Sequence, residues 1–120
     1  MIRVKRIYAP VAKSDGKRVL IDRLWPRGVS KQEAAVDEWL RELAPSTKLR
    51  QWFGHDPAKW NEFRRRYARE LEGNQDAIAQ LERAAARRTV TLVYGAKDEE
   101  HNNAVALKLY LEDRRHQVRA

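Results

Sequence analysis

Three short polar stretches hold most of the residues able to do chemistry. In the first, Asp22, Arg23 and Arg27 follow an apolar run, and Pro26 and Gly28 break the backbone among them. An aspartate placed there can serve as a base or an orienting carboxylate beside a fixed cation. The guanidinium fork of Arg27 suits a carboxylate or phosphate. In the second, His55 stands just ahead of Asp56-Pro57, where an imidazole could act as general acid or base. Arg50, shortly before it, could clamp a ligand. The third is Lys97-Asp98-Glu99-Glu100-His101-Asn102-Asn103. There Lys97 offers charge, His101 proton transfer and Asn102 or Asn103 fixed hydrogen bonds, while amides opening the next helix would attract an anion.

Each stretch also has a plain structural reading. Asp22 and Arg23 could simply close a strand end as an ion pair, and His55 could stack on Trp52 or Trp60. Arg50 could be a surface helix residue, and an asparagine at 102 or 103 an ordinary helix cap. Trp25 reads as core, Arg27 as a site residue. No glycine-rich cradle is present, so the chain is neither a P-loop protein nor a dinucleotide binder of the usual fingerprint. His55, His101 and a carboxylate lack the paired spacing of metal ligands. With no cysteine, the chain has no thiolate nucleophile, disulfide or cysteine-based zinc site.

The elements that must position these residues read clearly in places. Residues 4–8 alternate apolar and basic, as a strand with one covered face does. A linker over 9–17 ends in the turn signal Ser14-Asp15-Gly16, and 18–24 form a second, largely apolar strand. That linker is too short for a comfortable helical crossover, which points to a hairpin or to another strand lying between. After Gly28, Ser30 and Glu33 fit a capping box, and Val36, Trp39, Leu40 and Leu43 fall on one face of a helix. Ala44-Pro45-Ser46 stops that helix and caps a short one, with Leu49, Trp52 and Phe53 inward and Gly54 closing it. Asp56-Pro57 opens a longer helix carrying Trp60, Phe63, Tyr67 and Leu71, and Gly73-Asn74 leads to another with Ile78, Leu81 and Ala85. Residues 89–94 are the clearest strand, and a last helix runs from Asn102 or Asn103 to about Arg114. If the strands ending near Asp22 and Tyr94 are parallel neighbours, their polar loops meet at one rim. Strict alternation would nevertheless send Arg23 to the face opposite Asp22.

A chain of 120 residues is one domain's worth. It has no apolar run of membrane-spanning length and no signal-peptide core near its start, so a cytoplasmic protein without a membrane partner is expected. The net charge of +8 favours anionic partners. Arg64-Arg65-Arg66 reads as a solvated face, since Glu62 and Glu70 stand at helix spacing from Arg66. No helix-turn-helix, zinc-finger or RNP pattern appears.

The run from Arg18 to Gly28 (Arg-Val-Leu-Ile-Asp-Arg-Leu-Trp-Pro-Arg-Gly), Ala44-Pro45-Ser46 with Leu49-Arg50, Gly54-His55-Asp56 and His101-Asn102-Asn103-Ala104 together resemble the YeaO-like family. That family belongs to a broader group, the domain of unknown function DUF488, and the resemblance spans nearly the whole chain. It implies no agreed function or cofactor. It does imply that Asp22-Arg23 and His101-Asn102-Asn103 occupy two rims of an α/β fold, and that the first two strands are parallel. The group's Cys-His-Arg helix start lacks its cysteine here, so thiol chemistry does not carry over.

The expected architecture is α/β: one domain over 1–120, with a small, mostly parallel three-stranded sheet flanked by about five helices. The expected function is binding of an anionic, phosphorylated or nucleotide-like small molecule at the carboxyl rim of the sheet. Asp22, His55 and His101 are the candidates for catalysis; Arg23, Arg27, Arg50, Lys97, Asn102 and Asn103 are those for binding. The alternatives are a nucleic-acid-binding protein using its basic helical surface and a partner-binding module without catalysis.

Overall fold

The computed structural model describes residues 1–119, with side chains through Arg115. Its centre is the strand the sequence marks most strongly, Val90–Tyr94, buried at every position. Numbered in chain order this is β4, and it lies between β1 (Ile2–Arg6) and β2 (Lys17–Leu20). A two-residue strand, β3 (Glu38–Trp39), adds to the far side of β2, giving the order β1-β4-β2-β3 with every pairing parallel. The expected three strands are therefore four. β1 and β2 form no hairpin; β4 separates them. Residues 7–16 make the connection over one sheet face with only a 3-10 turn at Lys13–Asp15, as so short a linker requires.

The helix expected through Leu43 is the main correction. Its capping box is present: Ser30 Oγ accepts the Glu33 amide at 3.0 Å, and Glu33 accepts the Ser30 amide at 3.1 Å. Yet α1 covers only Lys31–Ala34 and ends with Ala35 in the left-handed region, φ 48°. Beyond Ala35 the edge of β2 claims the backbone. The Asp37 amide donates to the Arg18 carbonyl and the Leu40 amide to the Leu20 carbonyl, both at 2.9 Å. Sheet pairing satisfies those backbone groups and overrides the helical spacing of Val36, Trp39, Leu40 and Leu43.

The other helices follow their signals. They are α2 (Thr47–Phe53), α3 (Trp60–Leu71, behind a 3-10 turn at Pro57–Lys59), α4 (Gln75–Arg87) and α5 (Asn103–Arg119). None among the described residues is long and apolar enough to cross a membrane. Alternation along the strands splits the core in two. Val19, Ile21, Val90, Leu92 and Tyr94 pack with Phe53, Phe63, Tyr67, Leu71, Ile78 and Leu107 of the helices. On the opposite face, Ile7, Leu20 and Val93 pack with Ala34 beneath Trp25, Val29, Val36 and Trp39. Both faces of β4 are thus covered, which is why its sequence is apolar almost throughout.

Candidate functional site

Parallel pairing fixes the level of the two central strand ends. Leu20 stands opposite Val93, so two residues on Asp22 comes level with Gly95. The Gly95 amide donates to Asp22 Oδ2 at 2.9 Å. A Cβ at Gly95 would lie 3.1 Å from that oxygen, so the close approach depends on the absence of a side chain. Asn103, in the first turn of α5, donates from Nδ2 to Asp22 Oδ1 (3.0 Å) and to the Ile21 carbonyl (2.9 Å). The Trp39 indole donates to the Asp22 carbonyl at 2.7 Å. Burial pushes the Asp22 carboxyl above its ordinary range, opposed in part by Asn103, the Gly95 amide and the charge of Arg50.

β2 has ended by Leu20, so strand alternation does not apply to Arg23, and it lines the same cleft as Asp22. Its guanidinium is pinned against a wall. Arg23 Nε donates to the Pro45 carbonyl at 3.2 Å, and an Nη donates to that of Ala44 at 3.4 Å. The wall is itself held at every residue from 42 to 46. Asn74 Nδ2 donates to the Glu42 carbonyl at 3.0 Å, and the Tyr67 hydroxyl donates to that of Leu43. Glu70 accepts the Ser46 amide at 2.8 Å and its hydroxyl at 2.6 Å. The four carbonyls of residues 42–45, and the amide and hydroxyl of Ser46 that opens α2, are thereby held by side chains from α3, its end and the β2 loop.

The remaining lining comes from α2, α3 and the loop into α5: Arg50, Phe53, His55, Phe63, His101 and Asn102, with Leu24 and Ala96. The cleft volume is about 240 Å³. His55 follows Gly54 in a left-handed pair, φ 54° and 57°, which turns the chain back from α2 toward the Asp56 cap. Its ring faces Phe53 at a centroid distance of 6.5 Å, rather than a tryptophan. The imidazole on a tryptophan is His101, edge-on to Trp60 at 5.2 Å. His101 Nδ1 lies 3.1 Å from Asp98 Oδ2, and Asp98 Oδ1 accepts the amides of Glu100 (2.9 Å) and His101 (3.0 Å). Those two amides hold the Asp98 carboxyl below its ordinary range. A proton on Nδ1 answers that carboxylate and leaves Nε2 as the open ring atom. Asn102 caps α5, its Oδ1 accepting the Val105 amide at 2.9 Å.

Asp22, Arg23, Arg50, His55, His101, Asn102 and Asn103 therefore converge on one cleft. Arg27 and Lys97 lie outside its lining. Sequence reasoning missed the apolar walls, Phe53 and Phe63, because helical spacing marks them only as core. It also missed Tyr67, Glu70 and Asn74, whose partners are 24 to 32 residues distant in the chain. The breaker Ala44-Pro45-Ser46 is the one local sign that this segment is irregular.

Fold and site together define a small parallel α/β protein with a polar cleft at the carboxyl ends of its two central strands. A family model described as "Inactive DUF488-N3 subclade" matches residues 1–120. YeaO of Escherichia coli, itself uncharacterised, is 41% identical over 110 residues, covering 92% of this chain and 96% of that protein. Uncharacterised proteins of Mycobacterium tuberculosis and Mycobacterium bovis are 37% identical over 113 residues, covering 94% of this chain and 95% of theirs. No solved structure gives a significant match. The chain belongs to the YeaO-like DUF488 family.

Proposed function

We propose that the cleft binds an anionic, phosphorylated or nucleotide-like small molecule. The observation that carries this reading is the pair Arg23 and Arg50 in one cleft, facing the start of α5. Arg23 is held in a fixed plane by two main-chain carbonyls, so little side-chain entropy remains to be lost on binding an oxyanion. Arg50, on α2, adds a second positive charge. The first turn of α5 contributes its partial positive end from the opposite side. Asp22 does not cancel this field: two cations face one carboxylate, and burial weakens its hold on a full charge. Its oxygens also suit hydroxyl or amino hydrogens on the same ligand. Phe53, Phe63 and Leu24 supply apolar walls against which a ring can lie.

The volume is slightly below the roughly 300–1,000 Å³ of most ligand pockets, which fits a compact phosphorylated compound or one end of a larger molecule. The Asp98–His101 pair has the base-and-orienter form of acid–base catalysis. The subclade's description as inactive supports binding without turnover. Calorimetric titration with inorganic phosphate, sugar phosphates and mononucleotides tests the reading. At least one should bind, and Arg50→Ala should weaken it about tenfold, as loss of a charged hydrogen bond does. Absence of binding across the set, or binding indifferent to Arg50→Ala and Arg23→Ala, would overturn it.

A further inference from the structure

The other side of the same two loops carries a second feature. Arg6, at the end of β1, donates from Nε to the Ala96 carbonyl at 2.9 Å and lays its guanidinium over the Tyr8 ring, 4.9 Å from the centroid. The Tyr8 hydroxyl donates in turn to the Arg27 carbonyl at 2.8 Å. These bonds tie three chain segments into one patch at the carboxyl rim, bearing Arg6, Tyr8, Arg27 and Lys97. Tyr8 is 46% exposed, and Arg27 is exposed as well. Among the described residues, none of the three cations is ion-paired. On α3, by contrast, Glu62 pairs with both Arg65 and Arg66, at 2.7 and 3.1 Å. Glu99 and Glu100, farther along the loop, are exposed as well.

Patch and cleft adjoin at a narrow seam. A Cβ built at Gly95 would sit 3.1 Å from Asp22 Oδ2, which faces the cleft, and 3.6 Å from the Pro26 side chain, one residue before Arg27. We propose that the patch is a phosphate track for a single-stranded nucleic acid, continuing outward from the cleft. One nucleotide sits in the cleft, the neighbouring phosphates lie along Arg6, Arg27 and Lys97, and a base stacks on Tyr8. Exposed aromatic surface set among unpaired cations is the combination that holds unpaired strands, because every base offers a π-face and every linkage a charge. An acidic peptide would use the cations and leave the ring idle. The cleft holds no more than about one unit, so any longer anion must leave it across such a rim. The proposal rests on the cleft reading for its first unit only; the patch has its own readout.

Fluorescence anisotropy with labelled oligothymidylate of about a dozen residues, alongside calorimetry with thymidine monophosphate, tests it in the full chain. The oligomer should bind at least tenfold more tightly than the monomer and weaken steeply between about 50 and 200 mM salt. Arg27→Glu with Lys97→Glu should abolish that advantage and lower the salt slope by about 2. Monomer affinity should not change. Tyr8→Leu should cost the oligomer about tenfold, with Tyr8→Phe restoring it. An oligomer no tighter than the monomer, indifference to the charge reversals, or equal competition by polyglutamate would overturn the track. Loss of monomer binding alone, with the oligomer still dependent on Arg27 and Lys97, would overturn the cleft reading and leave the track standing.

Discussion

The two ends of β2 each carry a sequestered aspartate, and the two are treated in opposite ways. Asp15, just before the strand, is 4% exposed and has a full set of donors. Lys5 Nζ reaches it at 3.0 Å, an Arg18 Nη at 2.7 Å and the Ala12 amide at 3.0 Å. Arg18, 2% exposed, spends its other donors on the Ala34 carbonyl at 2.9 and 3.1 Å. Burial works to raise the Asp15 pKa, but the Ala12 amide, Lys5 and Arg18 outweigh it, and the net shift is downward. Asp22, at the other end, has one donor on each oxygen, no ion-pair contact, and a raised pKa. One end of the strand is closed and structural. The other is left open toward a cleft.

The largest effect should come from opening the closed end. Arg18→Met would leave a buried carboxylate with only lysine and amide support, and it should cost about 3–5 kcal/mol of unfolding free energy in a denaturant titration. A loss under about 1 kcal/mol would erase the contrast between the ends. Next comes Gly95→Ala, whose Cβ meets Asp22 Oδ2 at 3.1 Å. It should cost about 1 kcal/mol while removing ligand binding. Full binding in that variant would mean that Asp22's position is immaterial.

The smallest and most discriminating effect is the sign of the pH dependence. The stabilisation from Asp15 is present above its unfolded pKa of about 3.9 and is lost as pH falls through its lower folded value. Asp22 runs the other way. Between that unfolded value and its raised folded one, the folded chain keeps a proton that the unfolded chain has released, so stability declines as pH rises. Denaturation of wild type and Asp22→Ala from about pH 3 to 7 should show that decline in the difference between the two proteins, set against the rise with pH that Asp15 and Asp98 give both. A matching slope in both proteins would remove Asp22 as its source.

Much of this is legible in the chain. The β-branched, apolar run at 89–94 fixes β4, Asp56-Pro57 starts the long helical segment, and Asp22, His55 and His101 stand out as groups able to hold or move a proton where elements end. The failures share a cause. Leu40 and Trp39 fit a helix by spacing, but β2's open edge, remote in sequence, takes their backbone. Arg18 and Asp15 read as a strand residue and a turn residue, since nothing local shows that Lys5 and Ala34 close over them. Glu70 reads as a partner for Arg66 but holds Ser46 instead. Arg27 suits the cleft by its guanidinium, but after Pro26 it stands outside the cleft's lining, its carbonyl bonded to Tyr8.

The most direct test of the central claim is an amide and side-chain NMR titration with the tightest-binding phosphate compound. Shifts should concentrate on the Gly95 amide, the Asn103 side-chain amide, the Arg23 Nε–H and the imidazoles of His55 and His101, at the open end of β2. Shifts confined to the arginines of α3, or scattered evenly over the basic surface, would contradict it.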